Sequence, residues 1–94
     1  MDDGRFQWDD QKAAANFAKH GVTFEAARDV FADSFALDWL DESRMYGELR
    51  YAVIGMAGPR LLYVAYTMRS DAVRIISARG AEPHEKRRYY DENS

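Results

Sequence analysis

The sequence contains no cysteine. That removes disulfides, thiolate nucleophiles and thiolate metal sites together. It also lacks any run of about 18 apolar residues, the minimum for a membrane-spanning helix. No P-loop and no G-x-G-x-x-G is present, so the usual phosphate-cradling nucleotide motifs are missing. The two histidines, His20 and His84, have no companion ligands at metal-binding spacing. None of Ser34, Ser43, Ser70 and Ser77 sits in a nucleophile-elbow context. No metal or cofactor is expected. The acidic start, Met1-Asp2-Asp3-Gly4, does not read as a signal peptide, and a cytoplasmic location is the expectation.

What is present is a soluble globular balance, 47% hydrophobic and 31% charged, over 94 residues. One domain, residues 1–94, is the natural expectation. The net charge of -3 hides an asymmetry. Residues 1–48 hold 5 Lys and Arg against 11 Asp and Glu, whereas residues 49–94 hold 8 against 5. Seven of those eight cations are arginine, whose planar fork suits phosphate and carboxylate. Charge alone favours the plainer reading, arginines that solubilise strand ends.

Arg5–Trp8 alternates polar and apolar residues, as a short strand does. Asp9 is a suitable N-cap for a helix running to about Lys19 and stopped by Gly21. Thr23 caps a second helix, with Phe24, Ala27, Val30 and Phe31 at helical spacing up to about Asp33. Residues 35–40, 48–56, 61–68 and 73–79 then read as strands joined by short loops, an antiparallel meander. Pro83 suits the first turn of a last helix that runs to about Asp91. The order β-α-α-β-β-β-β-α makes an α+β domain, with helices expected on one face of a mostly antiparallel sheet.

Residues 73–79, Val-Arg-Ile-Ile-Ser-Ala-Arg, are the most strand-like run and are bracketed by Arg74 and Arg79. Five residues apart, the two arginines face opposite sides of a regular strand. Only a bulge would bring them to one side, and Arg79 is the better candidate for an anion. Other polar residues gather at element ends: Lys19-His20 where the first helix stops, Glu48 and Arg50 at the start of the third strand, and Tyr66 to Arg69 at the end of the fourth. Each has a structural reading beside a functional one. Lys19 and His20 suit the negative end of a helix, Glu48 and Arg50 suit a same-face ion pair, and Tyr63 and Tyr66 suit a sheet core. Together these side chains also form the set that cleaves RNA without a metal. Histidine or glutamate moves protons, arginine and lysine stabilise the phosphorane, and an aromatic ring holds an unstacked base.

The motifs Phe6-x-Trp8-Asp9-x-x-Lys12, Asn16, Lys19-His20-Gly21-Val22-x-Phe24 and Val30-Phe31-x-Asp33 resemble the N-terminal half of BrnT-type toxins. The resemblance continues through Tyr46-Gly47-Glu48-x-Arg50, Tyr66-Thr67, Arg74 to Arg79 and Glu85-x-Arg87, and so covers about residues 5–90. It implies a RelE-like fold and a metal-independent endoribonuclease that arrests growth and translation by cutting RNA. It also implies a ribbon-helix-helix antitoxin of BrnA type, which neutralises the toxin and alone contacts operator DNA. Lys19, His20, Glu48, Arg50 and Arg79 fall on motif positions. His20, Glu48, Arg50 and Arg79 are the catalytic candidates, and Lys19, Tyr66, Arg69 and Arg74 the RNA-binding ones. The net acidity is unusual for an RNA-cutting toxin, and the acidic half suits a basic antitoxin segment. The alternative is a catalytically weak module that pairs with a ribbon-helix-helix repressor and tunes its operator binding.

Overall fold

The computed structural model describes residues 1–42 and 47–94. Its elements are β1 (Phe6–Gln7), α1 (Asp10–His20), α2 (Phe24–Asp29), a 3-10 turn (Val30–Ala32), β2 (Leu37–Leu40), β3 (Tyr51–Ala57), β4 (Arg60–Arg69), β5 (Ala72–Gly80) and α3 (Pro83–Glu92). The sheet order is β1-β5-β4-β3-β2. Every pairing is antiparallel except the short parallel β1–β5 contact. The α+β class and the element order match the expectation. Among the described residues no helix is long and apolar enough to cross a membrane.

Local chemistry explains the helix ends. The Asp9 side chain accepts the Lys12 N–H, and Gly21 closes α1 at φ 68°, a left-handed conformation that favours glycine. Thr23 accepts the Ala26 N–H to start α2. Glu82 and Glu85 form a reciprocal capping box at the start of α3, with Pro83 in the first turn.

Strand alternation divides the side chains between two faces. The first face carries Val53, Leu62, Val64, Tyr66, Ile75 and Ala78, packed against Trp8, Val22, Phe24, Ala27 and Val30. Gly55 lies on this face, where an added Cβ would come within 2.7 Å of Val30 Cγ1. The missing side chain is what lets the helical layer press onto β3. The second face carries Ile54 and Leu61, packed against Tyr89 of α3. The helices therefore lie on both faces, not on one as the sequence reading expected. The mostly polar α3 is held to its face by one buried ring. The Tyr89 hydroxyl donates to Asp33 Oδ2 at 2.7 Å, and that oxygen also accepts the Met56 N–H.

Two further expectations change. The third strand begins at Tyr51, so Glu48 and Arg50 precede it. The fifth strand contains a register shift opposite Ala65/Tyr66: Ala65 pairs with Ser77 and Tyr66 with Ile75. Ile76 is therefore the extra residue of a bulge. The bulge resets the alternation, which puts Arg74 opposite Thr67 and Arg79 opposite Tyr63. Thr67 and Tyr63 are four apart on one strand and share a face. Arg74 and Arg79 consequently both belong to the second face, as a bulge requires.

Candidate active site

Helix α3 covers only one end of the second face. Side chains of this face form ordered cross-strand rows that start at Trp39 and Ile54 in the α3-covered cluster and run toward β5. One row runs Trp39, Ala52, Ala65, Ser77 from β2 to β5. Its inner members are small, so they make the floor of a trough. The neighbouring row, Leu37, Ile54, Tyr63, Arg79, forms one wall. The opposite wall holds Arg50, Thr67 and Arg74. Thr67 is opposite Arg74, and pairing at Arg50 is extended by the Asp41 N–H donating to its carbonyl at 2.8 Å. Ala52 is fully covered, so the open part lies over Ala65 and Ser77. There a cleft of about 240 Å³ is lined by Asp41, Arg50, Tyr51, Tyr63, Ala65, Ile76 and Ser77.

A second cleft of about 240 Å³ adjoins it and shares Ile76 and Ser77. Its other lining residues are Lys12, Ala15, Asn16, Lys19 and His20 of α1. Lys12, Asn16 and Lys19 recur at helical spacing and so present one side of the helix. Asn16 fixes that side against the sheet. Its amide donates to the carbonyls of Ala78 (2.8 Å) and Val22 (3.0 Å), and its Oδ1 accepts the Ala78 N–H at 3.0 Å. Asn16 thus completes the edge of β5 where β1 has ended, satisfying backbone groups that would otherwise be bare. The bulge at Ile76 becomes the saddle between the cations of α1 and the trough.

Arg79 is the most constrained cation. Its Nη1 and Nη2 donate to Glu85 Oε1 (2.8 Å) and Oε2 (3.0 Å), a forked pair. Glu82 adds a carboxylate at 3.2 Å. The guanidinium carbon lies 4.2 Å from the centre of the Tyr63 ring. Burial opposes the charge on Glu85, but the Arg79 fork and the Glu82 N–H outweigh it, and the carboxyl is held below its ordinary range. The hydrogen bonds that Arg79 donates to Glu85 push its own guanidinium in the other direction, upward. Arg74 has a different partner: its Nη1 donates to Gln7 Oε1 at 3.0 Å. Among the described residues Arg50 joins no ion pair within 4.0 Å.

The sequence-chosen residues divide accordingly. Lys19, His20 and Arg50 line the two clefts that join at the bulge, Arg79 stands over Tyr63 on the trough wall, and Arg74 lies farther along the same face. Arg74 and Arg79 stand four β4 positions apart, about 13 Å at ~3.3 Å per residue. Glu48 and Arg69 lie elsewhere. They form a pair at 3.5 Å, both half exposed, and Glu48 lines a separate cleft with Leu49, Tyr51, Thr67 and Met68. Tyr66 is a first-face core residue, 6% exposed and stacked on Tyr51 at 5.4 Å. Its hydroxyl donates to Asp38 Oδ2 at 3.1 Å. Burial and the Asp38 carboxylate both push its pKa up. No surface of Tyr66 is presented to a base. Tyr63, three positions earlier and so on the opposite face, faces the trough instead. Tyr46 of the Tyr46-Gly47-Glu48-x-Arg50 motif lies outside the described residues.

Sequence reasoning did not single out Tyr63, Ser77, Lys12 or Glu85 as site residues. The odd spacing of Tyr63 and Tyr66 carried the signal for the first. Glu85 was visible only within the Glu85-x-Arg87 motif of the resemblance. Among the described residues, no three His, Asp or Glu side chains are grouped as a metal site.

No protein of curated function matches the chain by sequence. The family model described as the ribonuclease toxin, BrnT, of type II toxin-antitoxin systems matches residues 8–85. That span contains α1, the whole sheet from Trp8 onward and the Arg79–Glu85 pair, and the chain therefore belongs to the BrnT family of ribonuclease toxins.

Proposed function

We propose that this protein is an endoribonuclease that cuts RNA at the bulge of β5 by acid–base and electrostatic catalysis, without a metal. The observation that carries the reading is the shared lining of the two clefts. Ile76 and Ser77 join the Lys12–Lys19–His20 side of α1 to Arg50 and Tyr63 on the sheet. Asp41 is the one carboxylate among the described lining residues. A single carboxylate supports a phosphodiester ligand over a hard cation, which prefers several oxygen ligands.

A phosphate seated over Ser77 has Arg50 on the trough side and Lys19 and His20 on the helix side. His20 removes the proton from the 2′-hydroxyl or returns one to the departing 5′-oxygen. The attack forms a 2′-oxygen–phosphorus bond and breaks the 5′-oxygen–phosphorus bond, giving a 2′,3′-cyclic phosphate and a 5′-hydroxyl, with water as the other proton partner. Arg50 and Lys19 stabilise the charge of the phosphorane between these events. Arg79, held by Glu85, contributes field and orients Tyr63. Glu48, paired with Arg69 in the next cleft, lines the path by which the strand leaves. Arg69 and Arg74 extend the cationic track.

The partner that silences this site is a BrnA-type ribbon-helix-helix antitoxin, with operator DNA bound only through it. The acidic first half of the chain supports a basic partner surface. Growth and translation arrest follow from loss of RNA in the cytoplasm. The test is cleavage of total RNA in EDTA by the purified protein and by R50A. Cleavage by the parent and a hundredfold or greater loss in R50A are expected. An R50A protein as active as the parent overturns the assigned site. No cleavage by the parent, with tight co-purification of a small basic protein, favours the repressor-pairing module.

A further inference from the structure

Ser77 carries the one polar side chain common to both clefts, yet the cleavage chemistry gives it no task. The other shared residue, Ile76, is apolar. Ser77 is half-buried and pairs across the strands with Ala65. Its hydroxyl has no hydrogen-bond partner among the described residues. No buried side-chain oxygen or nitrogen among those residues lacks a partner, so this hydroxyl opens into the clefts. Asn16 on the helix side is already spent: its amide protons go to two carbonyls and its Oδ1 accepts the Ala78 N–H. Lys12, Lys19 and Arg50, which line the two clefts, join no ion pair within 4.0 Å among the described residues. Cations on two sides of an uncommitted donor fit an anionic ligand. The bulge sets the position. Ile76 is the extra residue, and the register resumes at Ser77. A slip of one residue would turn the hydroxyl to the first face.

We propose that Ser77 is a further catalytic residue, whose Oγ donates a hydrogen bond to one non-bridging oxygen of the scissile phosphate. This rests on the reading that the strand is cut over Ser77. A hydroxyl has a single proton to donate. It therefore serves one of the two non-bridging oxygens and leaves the other to the cations. The charges of Lys19 and Arg50 attract the phosphate before the reaction as well as during it. A neutral donor fixed in a half-buried site gains most as negative charge builds on the phosphorane. Ser77 thus acts on turnover more than on binding, and makes the site distinguish the two faces of the phosphate.

The experiment compares the parent with S77A, a change that removes one oxygen atom. The substrate is a short 2′-O-methyl oligonucleotide with a single ribonucleotide, placed at a linkage that the parent cuts in unmodified RNA. Its cleavable phosphate is either natural or carries sulfur in place of one or the other non-bridging oxygen. Sulfur is a weak hydrogen-bond acceptor. On the natural linkage S77A should lower kcat roughly a hundredfold, with KM near the parent's. The same loss is expected on the isomer that keeps oxygen opposite Ser77, and hardly any on the isomer that puts sulfur there. The isomers are compared within one protein, so a small unfolded fraction of S77A cancels. Equal losses on the two sulfur isomers, or no loss on the natural linkage, overturns the role of Ser77 while leaving the cleavage reading standing. Failure of the parent to cut any RNA defeats the cleavage reading and the role of Ser77 with it.

Discussion

The two faces of the sheet are built from the same strands but solve different problems. The first face is closed by α1 and α2 over Phe24, Ala27 and Val30, all fully buried. The second is closed where Tyr89 of α3 packs on Ile54 and Leu61 and again over Ala52 and Thr67, and its more open positions carry Arg50, Tyr63, Arg74, Ser77 and Arg79. One face supplies most of the apolar burial, which is the main favourable term in folding. The other holds charge at half-exposed positions, where an arginine keeps its hydration and still meets a ligand. The contrast teaches that apolar burial and the proposed chemistry are separated by strand parity, and that a one-residue bulge at Ile76 sets which side each half of β5 faces.

Substitutions should break the two faces in different ways. The largest stability effect is expected from Phe24→Ala on the first face. Loss of a fully buried ring costs about 3–5 kcal/mol. The thermal midpoint should fall steeply, while RNA cleavage per folded molecule stays near the parent's. Next comes Glu85→Ala on the second face. It strips Arg79 of its forked partner and the Glu82 N–H of its cap. Because Arg79 remains 29% exposed, the cost is discounted to about 2 kcal/mol. Urea unfolding measures it, and cleavage should fall as well because Arg79 loses its aim. A smaller change, Thr23→Ala, removes only the cap bond to Ala26 and should cost about 1 kcal/mol with no effect on cleavage.

Acid provides a finer comparison. The Glu85 carboxyl is held below its ordinary 4.5. Burial alone raises that of Asp33, yet the Tyr89 hydroxyl and the Met56 and Phe35 N–H groups bring it below its ordinary 3.8. A depressed carboxyl stabilises the fold above its unfolded-state value, and that stability drains away as pH falls through the folded value. The protein should therefore lose stability below about pH 4.5, and E85Q should flatten that decline. A midpoint unchanged between about pH 6 and about pH 3, on either side of the carboxylate range, would contradict the role given to these carboxyls.

Much of the fold was legible because its signals are local. Asp9, Gly21, Thr23 and Pro83 mark helix ends by chemistry that acts within one turn, and each performs that task. The strands declared themselves by β-branched and aromatic runs. The face occupied by α3 was not legible, since a helix with one buried tyrosine carries too weak an apolar stripe to choose a side. Nor was the bulge, because Ile75-Ile76-Ser77 contains no glycine or other irregular residue. Without it, regular alternation puts Arg74 and Arg79 on opposite sides. Glu48-Leu49-Arg50 alternates like a strand, although β3 starts at Tyr51. Tyr66 and Tyr63 look equivalent as a composition, and only their register separates a core ring from a trough wall.

The central claim is that RNA meets the uncovered half of the second face. Backbone amide shifts on adding a 2′-O-methylated RNA strand test it most directly. The account predicts perturbations at His20, Ala65, Ile76 and Ser77, with the groove of Ala14, Phe17 and Ala18 on the far side of α1 unchanged. Perturbations confined to that groove, with Ser77 silent, would contradict it.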